Sequence, residues 1–174
     1  MRKSAPNFAP RYILDRYWDR SIPVDPFKIA QMAGARVLAD HDMPHQDLSG
    51  SFTLEGNVPT IRFNPEDARV RQRFTVAHEI AHWALQHGPA MRDNARNYSS
   101  STAYYRERDA NTFAAELLMP QEVVEWMVYS KNMTDVQEMA SLLDVSGAAM
   151  HYRLQNLGLL RNPQSSYSPP PRYY

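Results

Sequence analysis

The segment from Arg69 to Gln86 constrains the fold most, because its apolar residues recur every three or four positions, as on one face of an α-helix. Those residues are Val70, Phe74, Ala77, Ala81 and Leu85. Asn64 and Pro65 separate the segment from what precedes it, and Gly88 with Pro89 ends it. The pattern predicts one long helix whose apolar face packs against a core that the rest of the chain supplies.

The middle of this helix contains an HExxH pattern, in which His78 and His82 lie four positions apart. Such residues are separated by about 40° around the helix and about 6 Å along it, so both imidazoles can reach one metal ion. Glu79 lies one step around the helix, where a carboxylate can take a proton from a metal-bound water. The pattern predicts a hydrolytic metal site with Glu79 as general base. Two histidines that merely line an amphipathic helix are the structural alternative.

Composition limits what else can bind such a metal. The chain has no Cys, which excludes disulfides and sulfur-ligated zinc and leaves His, Asp and Glu as ligands. A catalytic zinc has three protein ligands and an open position, so a third ligand is required. The extended HExxHxxGxxH pattern is absent because Leu85 stands at its glycine position. The next predicted helix offers Glu107 and Asp109.

Other polar residues near the motif are expected to play structural roles. The remaining histidines are His41, His45, His87 and His151. His87 falls at the end of the helix, where its ring is expected to interact with exposed carbonyls rather than with metal. Packing is also the expected role of Tyr98, Tyr104 and Tyr105, with donation to an oxyanion as the alternative.

The periodicity of the other segments predicts an α+β chain. Strands are expected at 35–38, 51–54 and 60–63, and further helices at 27–33, 106–119, 121–129 and 135–160, with a loop over 89–103. The strands should form a small antiparallel sheet. The predicted organisation is a domain over 12–130 and a C-terminal helical segment over 131–161. The ends, 1–11 and 162–174, are expected to be disordered, since they are rich in Pro and Ser or lack periodicity.

Charge and hydropathy exclude several classes of protein. The chain of 174 residues has 19 basic and 19 acidic side chains, and 43% of its residues are hydrophobic. A core can therefore form, and the balanced charge does not indicate a generally basic nucleic-acid binder. No run of apolar residues is long enough to cross a membrane, and no signal peptide is recognised. A cytoplasmic protein without membrane association is expected.

Four segments of the chain resemble the ImmA/IrrE family of zinc metallopeptidases. They are RFTVAHEIAHWALQHG (73–88), ERDANTFAAELLMP (107–120), IPVDPFKIAQMAGARV (22–37) and SGSFTLEGNVPTIRFNP (49–65). The resemblance covers 22–160. It implies a zincin-like metallopeptidase domain in which a small antiparallel sheet packs on helices.

The resemblance also implies the rest of the metal site. In related enzymes the third ligand is a glutamate four residues before an Asp or Asn that supports a ligand histidine, and Glu107 with Asn111 matches this spacing. Asn111 would then accept the second ring N–H of a zinc-bound histidine. Asp109 is the alternative ligand, because a Glu often stands at its position in the family. The implied metal is Zn²⁺, with Mn²⁺ as the alternative.

The implied substrate is a partner protein, namely a helix-turn-helix repressor of a mobile element or a stress response. The alternative is a non-catalytic metal-binding regulator that acts through its C-terminal helices, and a component of a toxin–antitoxin pair is a third hypothesis. Residues 136–157 resemble a helix-turn-helix, with Asp144 where glycine is preferred. Direct DNA binding is less favoured, since the second helix offers few basic or amide side chains. These are His151, Arg153, Gln155 and Asn156.

Overall fold

The computed structural model describes residues 8–87, 90–91 and 101–160 of the chain. The helices in these ranges are α1 (Phe8–Tyr17), α2 (Pro26–Met32), α3 (Arg69–Ala84), α4 (Ser101–Leu118), α5 (Gln121–Glu125), α6 (Val136–Leu143) and α7 (Gly147–Asn156). The strands are β1 (Arg36–Ala39), β2 (Gly50–Glu55), β3 (Val58–Phe63) and β4 (Ala90–Met91). A 3₁₀ turn spans Met43–Gln46, and a π-helical turn over Trp126–Ser130 continues α5. Within the described ranges, none of the helices is both long and apolar enough to cross a bilayer.

The four strands form one sheet in the order β1, β3, β2, β4. The hairpin of β2 and β3 is antiparallel as predicted, and its register pairs Phe52 with Ile61, both buried. Strand β1 instead runs parallel to β3, with Arg36 opposite Thr60. The sheet is therefore mixed rather than wholly antiparallel. The connection over 40–49 places β2 one position away from β1, and β3 returns between them. Strand β3 therefore runs antiparallel to β2 and parallel to β1.

One apolar core joins the sheet to the helices. Its fully buried large side chains include Ile29, Ile61, Ile80, Phe113, Leu117, Met127, Met139, Leu143 and Met150. The last three lie on the C-terminal helices α6 and α7. These two helices therefore bury their apolar faces in the same core as α3 and α4. The fold is α+β, as the sequence predicted.

The turn between α6 and α7 follows the predicted break. Asp144 ends α6 in the left-handed conformation, with φ of 52°, which Asp tolerates better than most residues. The hydroxyl of Ser146 then accepts a hydrogen bond from the backbone N–H of Ala149 at 3.1 Å and caps α7. Local chemistry therefore sets the angle at which α7 returns toward the core.

Two stretches that the sequence placed outside helices are helical. Helix α1 starts at Phe8, so residues 8–11 are helical rather than disordered, because Pro10 is tolerated in a first helical turn and is buried. Helix α4 starts at Ser101, within the predicted loop. The disorder predicted for 1–7 and 162–174 falls outside the described residues, as does Tyr98.

Candidate metal centre

Helices α3 and α4 pack together and bring the predicted ligands to one place. His78 and His82 lie on α3 with 0% and 3% of their surface exposed. Glu107 lies on α4, and ligand atoms of these three residues are all within 4.8 Å of one another. The arrangement follows from helical spacing on α3 and from the packing of a second helix across it.

The separations within this cluster are within about 0.5 Å of those between the ligands of a bound ion. His78 Nε2 and His82 Nε2 are 2.9 Å apart, and each is 3.2 Å from an oxygen of Glu107. Two ligand atoms at about 2.1 Å from a tetrahedral ion are separated by about 3.4 Å. The cluster therefore fits a small cation bound by two nitrogens and a carboxylate.

Asn111 fixes the orientation of the first histidine. Its amide oxygen lies 3.0 Å from His78 Nδ1. Since that oxygen can only accept a hydrogen bond, Nδ1 carries the proton and the lone pair of Nε2 faces the cluster. Glu107 and Asn111 are one turn apart on α4, so a single helix supplies both the carboxylate and this acceptor.

His87 lies against the second histidine, which the sequence did not predict. Its Nδ1 is 3.1 Å from His82 Nδ1, and the two rings are 5.2 Å apart. Gln86 adopts the left-handed conformation, with φ of 55°, and the N–H of His87 donates to the carbonyl of His82 at 3.0 Å. This reversal folds the His87 ring back onto His82. The expected carbonyl contact is made by the backbone N–H, not by the ring.

Charges around His87 favour its neutral form. Burial lowers the pKa of His87, and charge interactions with His82 and Arg106 lower it further, while Asp109 and Glu107 act in the opposite direction. A neutral imidazole can accept the Nδ1 proton of His82. In the tautomer with the His87 proton on Nε2, Nδ1 of His87 accepts from Nδ1 of His82, as Asn111 accepts from His78.

The structure separates the two carboxylates that were candidates for the third ligand. Glu107 faces both histidines, whereas Asp109 lies outside the cluster with an oxygen 3.6 Å from Arg108. Burial by itself would raise the pKa of Glu107, but hydrogen bonds and charge interactions with His78 and His82 hold it well below the usual range of a carboxyl. Glu107 is therefore the ionised carboxylate at the cluster.

Glu79 lies beside strand β2. Its side chain is buried, at 1% exposure, and the backbone of Gly50 on β2 passes close to it. A Cβ at position 50 would lie 3.3 Å from Glu79 Oε1 and only 2.3 Å from Cγ2 of Thr75. The glycine thus allows β2 to approach α3 beside the carboxylate.

The other histidines singled out from the sequence lie outside the cluster, and the tyrosines lie on the surface of α4. His41, His45 and His151 are exposed, and within the part of the chain that the structure describes no second group of metal-ligating side chains is found. Tyr104 and Tyr105 are exposed on α4 and contact each other edge to face, with ring centroids 5.8 Å apart. Tyr104 also lines the groove that contains Glu107, so packing and donation to an oxyanion both stay predictions for it.

A groove leads away from the cluster along α4. It has a volume of about 670 Å³, and Tyr104, Glu107 and Asn111 of α4 line it. Phe74 of α3 and Ala149 and Tyr152 of α7 form part of its walls. Glu107 therefore contacts both histidines and also lines a cavity of the size that holds small ligands.

The fold and the cluster define a metallopeptidase-type domain. Residues 21–155 match the model of a peptidase family described as "IrrE N-terminal-like domain", which is well over half of the chain. The chain belongs to this family, so the resemblance predicted from its motifs is confirmed.

A solved structure named "Mycobacterium tuberculosis transcriptional regulator" shares the fold. Its TM-score is 0.60 at 14% sequence identity, with 91% of this chain and 48% of that chain covered. The chain thus spans about half the length of that regulator. No curated protein is significantly similar in sequence.

Proposed function

We propose that this protein is a zinc-dependent endopeptidase whose metal is held by His78, His82 and Glu107. The convergence of these three groups, with ligand atoms 2.9 to 3.2 Å apart, is the observation that carries the proposal. A structural zinc site usually has a fourth protein ligand, and the described residues place none in this cluster. The open position and the adjacent groove favour catalysis.

The chain's own residues supply the remaining parts of the reaction. Asn111 and His87 hold the Nδ1 protons of His78 and His82, which directs both Nε2 lone pairs to one point. When bound, zinc lowers the pKa of a water and polarises a carbonyl oxygen. Glu79 accepts the proton of the attacking water at its carboxylate and returns it to the leaving amine.

The proposed substrate is a protein, in particular a helix-turn-helix repressor of the kind that the family resemblance implies. The proposed setting is the cytoplasm, where cleavage of a repressor would relieve repression. Zinc is the proposed metal, and manganese is the alternative that the same ligands accept.

The second hypothesis is a regulator that binds DNA through its C-terminal helices, since the structural neighbour is named a transcriptional regulator. The residues of α7 do not favour DNA binding. Arg153 is the one Lys or Arg side chain on this helix, and it is only 7% exposed. Its guanidinium donates to the carbonyl of Met119 at 3.0 Å and is paired with Glu116. Helix α7 therefore lacks an exposed cation to neutralise a phosphate.

The first test is the metal content of the purified protein, measured by elemental analysis beside three variants. Wild type is expected to bind about one zinc per chain. Glu79→Gln should keep the metal and Glu107→Gln should lose most of it, since Glu107 is the proposed ligand of these two glutamates. Glu138→Gln, a change at an exposed carboxylate on α6, is the control and should match wild type.

Peptidase activity is tested with a mixture of proteome-derived peptides whose fragments are identified by mass spectrometry. Wild type with zinc should generate new peptide ends, and Glu79→Gln should generate none above background. Absence of bound metal in wild type, after zinc is offered and excess removed, would refute the proposed function.

A further inference from the structure

The groove beside the metal cluster is formed jointly by the helix that carries Glu107 and by the C-terminal helix α7. On α4 it extends from Tyr104 to Ala115, a distance of about 17 Å at 1.5 Å per residue, and Met119 lines it just after the helix ends. Ala149, Tyr152 and Asn156 of α7 line the opposite wall at helical spacing. A peptide whose carbonyl lies at the cluster would therefore continue into a space that α7 delimits.

The floor of this groove is apolar and deformable. Phe74 and Ala115 are partly buried and Met119 is fully buried. Ala149 is also partly buried and contributes only a methyl group to the wall. The unbranched thioether of Met119 can adjust to ligands of different shape. The depth of the groove depends on Ala149, because any larger side chain there would project into it.

Both charged residues in the wall of the groove already have partners within the chain. Arg108 is its one cationic wall residue, and this guanidinium lies 5.0 Å from the ring centroid of Tyr105 and 3.6 Å from Asp109. Glu107 is its one anionic residue and is engaged by both histidines. Burying a charged side chain there without a partner would be costly, whereas burying an apolar one is favourable.

We infer that this groove selects substrates with a large apolar or aromatic side chain next to the cleaved bond, and that α7 serves as its specificity wall. The inference rests on the proposed function, since it takes the cluster as the place where the bond is cleaved. It assigns to the helix-turn-helix-like pair a role in substrate selection rather than in DNA binding.

The test compares two probes that differ in one side chain, N-acetylphenylalanine hydroxamate and N-acetylglycine hydroxamate. Both carry the same metal-binding group. The affinity of the glycine probe therefore measures binding to the metal alone, and the difference between the two affinities measures the contribution of the groove. On zinc-loaded wild type, the phenylalanine probe should bind roughly 10- to 100-fold more tightly, as expected for burial of a phenyl ring. Affinities are measured by calorimetry.

Two alanine variants on the same helix provide matched controls. Ala149→Phe fills the groove and should abolish the preference for the phenylalanine probe while the glycine probe still binds. Ala148→Phe places the same side chain at an exposed neighbouring position and should leave the preference intact. Tyr152→Ala, a truncation at a residue 64% exposed, should reduce the preference without endangering the fold.

The outcomes distinguish this inference from the proposed function. If neither probe binds the zinc-loaded protein, the metal has no open position and both proposals fail. If both probes bind equally, the metal site stands and the apolar groove is refuted. A preference that survives both Ala149→Phe and Tyr152→Ala would also refute it, because the side chain would then be recognised elsewhere.

Discussion

His78 and His82 each have a different neighbour on Nδ1, an amide in one case and an imidazole in the other. Asn111 could be anticipated from its spacing to Glu107 in related enzymes. His87 could not, because the direction of its ring depends on the left-handed conformation of Gln86, which no pattern in the sequence indicates. The only available signal was that a histidine stands within reach of the helix end.

Replacing His87 should weaken metal binding if its ring holds His82 in place. His87→Phe keeps the size of the ring but removes the acceptor, so zinc affinity should fall by about 10- to 100-fold. His87→Gln retains an acceptor and should recover most of the loss. Competition with a chromophoric chelator measures both affinities.

The control for this prediction is His45→Phe, which changes an exposed histidine in the 3₁₀ turn. It should bind zinc as wild type does. Equal zinc affinity of His87→Phe and wild type would show that the contact at 3.1 Å does not orient His82.

At the scale of elements, the approach of β2 to α3 decides the surroundings of Glu79. The sequence predicted both elements and their bounds closely, since β2 begins at Gly50 and α3 at Arg69. It did not predict that the glycine at the start of β2 lies against Thr75, or that β1 joins the sheet in parallel. Both features depend on how distant segments pack, not on local periodicity.

Gly50→Ala should destabilise the protein, since the new Cβ would lie 2.3 Å from Cγ2 of Thr75. The expected loss is about 1 to 3 kcal/mol in the free energy of unfolding, typical of overpacking. Thr75→Ser removes the clashing methyl group. The double variant should therefore be more stable than the sum of the two single changes predicts.

Chemical unfolding of wild type, both single variants and the double variant gives this coupling free energy. A coupling near zero would mean that the backbone of β2 moves away freely and that the close approach is not maintained by packing.

At the scale of the whole molecule, one buried arginine connects three parts of the chain. Arg73 of α3 donates to the carbonyl of Val24 at 2.7 Å and to that of Asp144 at 2.9 Å. It also forms an ion pair with the Asp144 carboxylate at 3.2 Å. These contacts connect the segment before α2 and the turn between α6 and α7 to α3, the helix that carries His78 and His82.

Arg73→Met should cost about 3 kcal/mol in the free energy of unfolding, since it leaves buried carbonyls and a partly buried carboxylate without this donor. Arg69→Met is the matched control. Arg69 pairs with the same carboxylate at 2.7 Å, but its side chain is 77% exposed, so the change should cost less than about 1 kcal/mol. Thermal or urea unfolding compares the two, and equal losses would contradict the assigned role of burial.

The sequence by itself determined the long helix, the HExxH group, the hairpin and the family, because periodicity and fixed spacing along one helix are local properties. Only the tertiary structure decided which carboxylate faces the histidines, where the ring of His87 points, how β1 pairs and that α7 lines the groove. Each of these depends on contacts between residues far apart in the chain. Glu107 and Asp109 are two positions apart on α4, and the packing of α4 against α3 alone directs the first toward the metal cluster and the second away from it.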